Sequence, residues 1–139
     1  MADMGFRFIK GITSDISWEA YGSDLGSLFS NSARALFSVI CRIDEVRPAK
    51  EKIISATAEN LSELMVNWLQ ELIASVDIDG MFYSEFKIKE ISEKRIVALC
   101  RGEPVTPEKG ETVVKAVTYH DFFLKKTDAG YVARVVVDI

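Results

Sequence analysis

The chain closes with two β-like runs, VVKAVTYHDFFLKK and GYVARVVVDI, joined at Thr127-Asp128-Ala129-Gly130, and no other stretch constrains the fold as tightly. In the second run Tyr131, Ala133, Val135, Val137 and Ile139 alternate onto one face. Val132, Arg134, Val136 and Asp138 take the other. Chain ends fray unless something holds them, so an apolar strand that keeps its period to Ile139 predicts an end tied into a sheet. The terminal carboxylate of Ile139 then stands beside the carboxylate of Asp138, a pair of hard oxygen donors on a rigid element. Asp15, at the start of the strand-like DISWEAYG, is their candidate complement.

The remaining segments supply what such a sheet needs. Phe6 to Ile9 reads as a short strand, and Asp15 to Tyr21 as a second with Ile16, Trp18 and Ala20 on one side. Gly22-Ser23-Asp24 signals a turn and a helix N-cap. Leu25, Leu28, Phe29, Ala33, Leu36, Phe37 and Ile40 then follow helical spacing, predicting a helix over 24–41 that Ser32 alone interrupts. Lys50 to Ala58 reads as a strand. Asn60 with Glu63 resembles a capping box, and Leu61, Leu64, Met65, Trp68, Leu72, Ile73 and Val76 predict a second amphipathic helix over 60–76. Met81 to Ile91 and Lys94 to Arg101 read as a hairpin, and Gly102 to Gly110, with Pro104 and Pro107, as a loop. The order ββαβαββββ predicts an α+β class, with two helices covering one face of a mostly antiparallel or mixed sheet.

Bulk properties exclude several functions. A chain of 139 residues, 48% hydrophobic and 27% charged, fits a single globular domain over 1–139 with a hydrophobic core. No apolar run reaches the roughly 20 residues that span a bilayer, and MADMGFRFIKG lacks the basic and apolar regions of a secretory signal. The expected location is the cytoplasm. Cys41 and Cys100 belong to no CxxC or Cys/His cluster and read as small buried hydrophobes. A net charge of −4 with scattered Lys and Arg argues against direct nucleic-acid binding, so any RNA should be carried by a partner.

No GxGxxG, P-loop, GxSxG or HExxH is present. His120, the one histidine, lies in a strand-like run and reads as a hydrogen-bonded or partner-facing residue rather than a base. Asp15 has two readings: a turn residue capping local N–H groups, or one of three anionic groups, with Asp138 and the Ile139 carboxylate, that favour a cation where they converge. That set is all oxygen and points to Ca²⁺, Mg²⁺ or Mn²⁺ rather than zinc or copper. Arg134 shares a face with Asp138 but stands four residues away, roughly 13 Å along a strand. Lys115, in an apolar stretch, either reaches to solvent or contacts a phosphate or a partner's acid. Trp68 fits the apolar stripe of its helix, and Glu71 lies on the opposite side.

At these residues the chain resembles the archease family. The matching features are TSD leading into a strand that ends AYG, NWLQEL, the SEF of Ser84-Glu85-Phe86, VKAVTYH over Val114 to His120, and the closing ARVVVDI, in the same order across nearly the whole chain. The resemblance implies a compact α+β domain with two helices against a sheet. It implies a protein cofactor, not an enzyme, that promotes metal-dependent guanylation and repeated turnover of the tRNA-splicing RNA ligase. It also maps a metal site onto Asp15, Asp138 and Ile139, with Ca²⁺ expected ahead of Mg²⁺ or Mn²⁺. One departure stands out: Ile12 occupies the place where the family commonly has a histidine, and an isoleucine can neither ligate nor hydrogen-bond.

Two functions of different class follow. One is a non-enzymatic ligase activator working through the acidic cluster, with Lys115 and His120 as contacts to partner or phosphate. The other is a chaperone-like module for RNA-modifying enzymes, indifferent to the acids. An autonomous metal-dependent hydrolase fits less well, because the sequence offers no convincing general base.

Overall fold

The alternation of the closing segment is realised as a central strand. In the computed structural model, which describes residues 5–9 and 15–139, the elements run β1 (Phe6–Ile9), β2 (Asp15–Gly22), α1 (Leu25–Ile40), a 3₁₀ turn at Ile43–Glu45, β3 (Lys50–Thr57), α2 (Leu61–Asp79), β4 (Met81–Ile91), β5 (Arg95–Pro104), β6 (Ala116–Thr127) and β7 (Gly130–Asp138). The α+β class and the order ββαβαββββ stand. The strands divide into two sheets, β1-β2-β7-β6 and β3-β5-β4, and every pairing is antiparallel. That division depends on register between distant segments, which periodicity does not encode.

Both helices start where their caps dictate. Asp24 accepts from the Ser27 N–H at 2.8 Å, and the Ser27 hydroxyl reaches back to the Asp24 N–H, closing a capping box. In α2 Asn60 accepts from the Glu63 N–H at 2.9 Å, but the Glu63 carboxylate takes the Glu59 N–H instead, so only half of the expected box forms. Ser32, the polar break in α1, is fully buried and accepts from Trp18 Nε1 at 3.1 Å. Trp68 is core as expected, and its indole N–H donates to the Phe29 carbonyl at 3.1 Å, tying α2 to α1. Helix α2 continues past residue 76 to Asp79, where Gly80 turns left-handed at φ 64° and ends it.

Two boundaries move. Strand β5 runs through Gly102 to Pro104, pairing Gly102 with Tyr83 and Pro104 with Met81, where the sequence suggested a loop from Gly102. Proline is tolerated there because it lies beyond the last β3–β5 pair, Lys50 with Gly102, where β5 has become an edge on that side. Strand β6 begins at Ala116, so Val113, Val114 and Lys115 fall in an irregular strap spanning 105–115. The strap is nonetheless fixed. The Glu111 and Thr112 N–H groups donate to the carbonyls of Ile40 and Val39, the Val105 N–H donates to Gly80 and the Lys115 N–H to Asp138. Carbonyls left without partners at the end of α1 are thereby satisfied. Glu103, a buried acid, fastens the strap from below: it accepts from the Arg47 N–H at 2.8 Å and from Lys109 Nζ at 2.6 Å. The Lys109 contact, then the Arg47 N–H, holds its carboxyl below the usual range.

The core gathers Trp18, Phe29, Phe37, Leu64, Trp68, Tyr83, Ile96, Val135 and Val137, all fully buried, from both sheets and both helices. Each such side chain contributes about 1.5–3 kcal/mol of burial. Cys41 and Cys100 lie within it as small hydrophobes, and burial pushes both thiols up to about 12.

Candidate functional site

Strand β7 lies between β2 and β6, so the neighbours of its last residues are set on both edges. Its register places Asp138 directly opposite Asp15 on one side and Ala116 on the other. Because Trp18, Ala20, Val135 and Val137 take the core face, Asp15 and Asp138 share the outer one. Side chains facing each other this way have Cβ atoms about 4.5–5.5 Å apart. Asp138 is exposed and Asp15 half-buried. The side chain of Ile139 packs against the core, continuing the face of Val135 and Val137. Lys115 is exposed, and its N–H donates to the Asp138 carbonyl at 2.8 Å, which sets it level with Ile139. Asp15, Asp138, Ile139 and Lys115 are thus neighbours at one end of the sheet.

His120 is not among them. It lies inside a bulge four residues beyond Ala116, beside Val135 and so about 10 Å along β7 from Asp138. Thr118 faces Val136 and Phe123 faces Arg134, so the residues from Tyr119 to Phe122 lie against Val135 alone. Asp121 takes φ 55° there, and His120 is exposed with Nε2 3.2 Å from Asp121 Oδ2. Residues 10–14, including Ile12, Thr13 and Ser14, lie outside the described residues. Among the described residues no three His, Cys, Asp or Glu side chains come together as metal ligands do. Ile139 is next in the chain after Asp138, and its main-chain oxygens are the nearest further donors on β7. The donors are hard oxygens without sulfur or imidazole, and they suit Ca²⁺, Mg²⁺ or Mn²⁺.

On the same outer face lies a network the sequence analysis missed. Glu19 is only 9% exposed. It accepts from Arg134 Nη2 at 2.8 Å, from Arg7 Nη2 at 3.0 Å and from the Tyr21 hydroxyl at 3.0 Å. The Arg134 bonds, then those of Tyr21 and Arg7, hold the Glu19 carboxyl below its ordinary value against the opposing effect of burial. Arg134 also lies over the Phe123 ring, 5.4 Å from its centroid. Arg134 is thus engaged by Glu19, four cross-strand pairs away from Asp138. The available signal was a lone arginine in an apolar strand, but its partner lies 115 residues earlier in the chain.

The archease protein family (MTH1598/TM1083) matches residues 6–139. Protein archease of Methanosarcina mazei is 39% identical over 133 residues, covering 91% of this chain and 91% of its own. Protein archease of Methanopyrus kandleri is 36% identical over 132 residues, covering 91% and 94%. Among solved structures, Methanobacterium thermoautotrophicum protein 1598 superposes with a TM-score of 0.83 at 31% identity, over 99% of this chain and 100% of that one. A Thermotoga maritima archease, described as a possible chaperone, superposes with a TM-score of 0.66 at 21% identity, over 96% and 98%, a likeness of fold.

Proposed function

Since the chain belongs to the archease family, we propose that it is a non-enzymatic, cytoplasmic activator of the tRNA-splicing RNA ligase that promotes guanylation and repeated turnover. The observation that carries this reading is the direct opposition of Asp15 and Asp138 at the end of β7, with Ile139 and Lys115 beside them. Asp15, Asp138 and the main-chain carboxylate of Ile139 hold a divalent ion, Ca²⁺ ahead of Mg²⁺ or Mn²⁺. Such an ion, when bound, supplies the positive charge that phosphate oxygens need. Lys115 places an ammonium at the same tip, where it contacts a phosphate or an acid of the ligase. His120, on its bulge, is left as a contact for a broader partner surface. RNA reaches this protein through the ligase.

The test is multiple-turnover ligation of a cyclic-phosphate RNA by the cognate ligase with GTP and Mn²⁺. Turnover is expected to rise with the wild-type protein and to stay at the ligase-alone rate with Asp138→Ala. An Asp138→Ala protein that stimulates as well as wild type defeats the metal-site reading. That result favours a chaperone-like module for RNA-modifying enzymes.

A further inference from the structure

We propose that the cleft at the C-terminal end of α2 is an anchoring subsite for a segment of the ligase that presents an apolar side chain followed by Lys or Arg. Only the identity of the partner rests on the functional reading above; the chemistry of the guest is read from the cleft itself.

The cleft encloses about 460 Å³ between the ends of α1 and α2 and the strap, with Ile73, Val76, Phe82, Pro107 and Val113 among its walls. That size is typical of ligand pockets. At its mouth Val113 is 78% and Val105 41% exposed. The two valines stand on one apolar concavity rather than scattered over the surface, which gives a guest's apolar side chain a single place to bury. Thr106 also lines the cleft, and its Oγ1 is buried without a hydrogen-bond partner among the described residues.

Charge fixes the rest of the guest. A helix C-terminus carries about half a negative charge, and basic residues in the last turn normally offset it. The last turn of α2 has none, and instead holds Asp77 on the cleft rim, exposed and without an ion pair among the described residues. Asp79 in the same turn is engaged by Ser75 and Lys52, and Glu111 on the facing rim by Arg42. The rim therefore calls for one added cation, and the interior for an apolar group. Val113 lies two residues from Lys115, about 7 Å of extended chain. A partner that contacts Lys115 is therefore within reach of Val113 on the cleft wall.

The experiment measures ligase affinity by biolayer interferometry for the wild type, Val105→Asp/Val113→Asp and Asp77→Lys. All three substituted positions are exposed, so the fold should survive, and a far-UV circular dichroism spectrum and a cooperative thermal melt like those of wild type confirm it. Binding is expected to weaken about tenfold or more for the valine pair and about threefold for Asp77→Lys. Ligase binding within twofold of wild type for the valine pair overturns the proposal. Should wild type fail to bind the ligase, the functional reading falls, and amide NMR shifts with acetyl-Leu-Leu-Arg-amide then decide the cleft. Saturable shifts at Val105, Thr106 and Val113, absent with acetyl-Leu-Leu-Glu-amide, uphold it, and no shifts with either peptide overturn it.

Discussion

Asp138→Asn should change the sign of its effect on stability according to whether a divalent ion is present. Asp15 and Asp138 face each other across β2 and β7. At about 5 Å, two like charges repel by about 0.8 kcal/mol in water and about 3 kcal/mol at an effective dielectric of 20. Asp138 is exposed, which places the repulsion toward the lower figure, about 1 kcal/mol. Asparagine keeps the shape and removes the charge. In EDTA the variant should therefore melt above wild type, by about 3–5 °C for a chain of this size. An ion held by the acids reverses the order, because a ligand at 100 times its Kd stabilises the protein that binds it by about 2.7 kcal/mol. Differential scanning calorimetry in EDTA and in a CaCl₂, MgCl₂ and MnCl₂ series reads both halves. A variant that melts below wild type in EDTA refutes the like-charge geometry. A wild-type melting temperature that no ion raises refutes the metal site.

Two further outcomes test the frame around the site. Glu19→Gln should lower stability at pH 7 by about 1–3 kcal/mol, since it weakens four bonds to a buried carboxylate. The folded pKa of Glu19 lies below its unfolded value; its contribution is therefore present above about pH 4.3 and is lost as pH falls through the folded value. Urea unfolding at successive pH values should show a shallower acid decline for the variant, and parallel curves would falsify the assignment. Gly102→Ala should destabilise by about 3 kcal/mol, because a Cβ there would lie 1.8 Å from the Phe82 carbonyl oxygen and must force β4 from β5. A thermal melt within 2 °C of wild type would show that the strands separate more easily than their register suggests.

Much of the architecture was legible because helical and strand periods are local. Leu25 to Ile40 and Leu61 to Val76 carry their stripes and caps within the segment itself, and Met81 to Ile91 is bounded by Gly80 and a tight hairpin. Val113 and Val114 look like strand by propensity, yet their N–H and C=O groups lie beyond the last β6–β7 pair, Ala116 with Asp138. Gly102 looked like a loop residue for the opposite reason: glycine is required where β4 comes too close for any Cβ. At the site, the alternation of β7 placed Asp138 on the outer face, but only register could put Asp15 opposite it. Glu19 was invisible by the same logic. An acid at an outward position reads as solvated until Arg7 and Arg134 are brought to either side of it.

The two surfaces argued here share one piece of backbone. The strap leaves β5 beside Gly80 at the end of α2, crosses the end of α1 at Val39 and Ile40, and delivers Lys115 to the Asp138 carbonyl. Each crossing is a main-chain hydrogen bond, and Glu103 clamps the strap through Lys109. The cleft wall and the acid tip are therefore set by one restrained segment rather than by separate loops. A partner covering both meets a surface already ordered, so little of its binding energy goes to fixing the protein's own chain. Disturbing the clamp, rather than either surface, is then what couples them: loosening the strap at Glu103 reaches Val105 and Lys115 together, and effects at the two ends should not be additive.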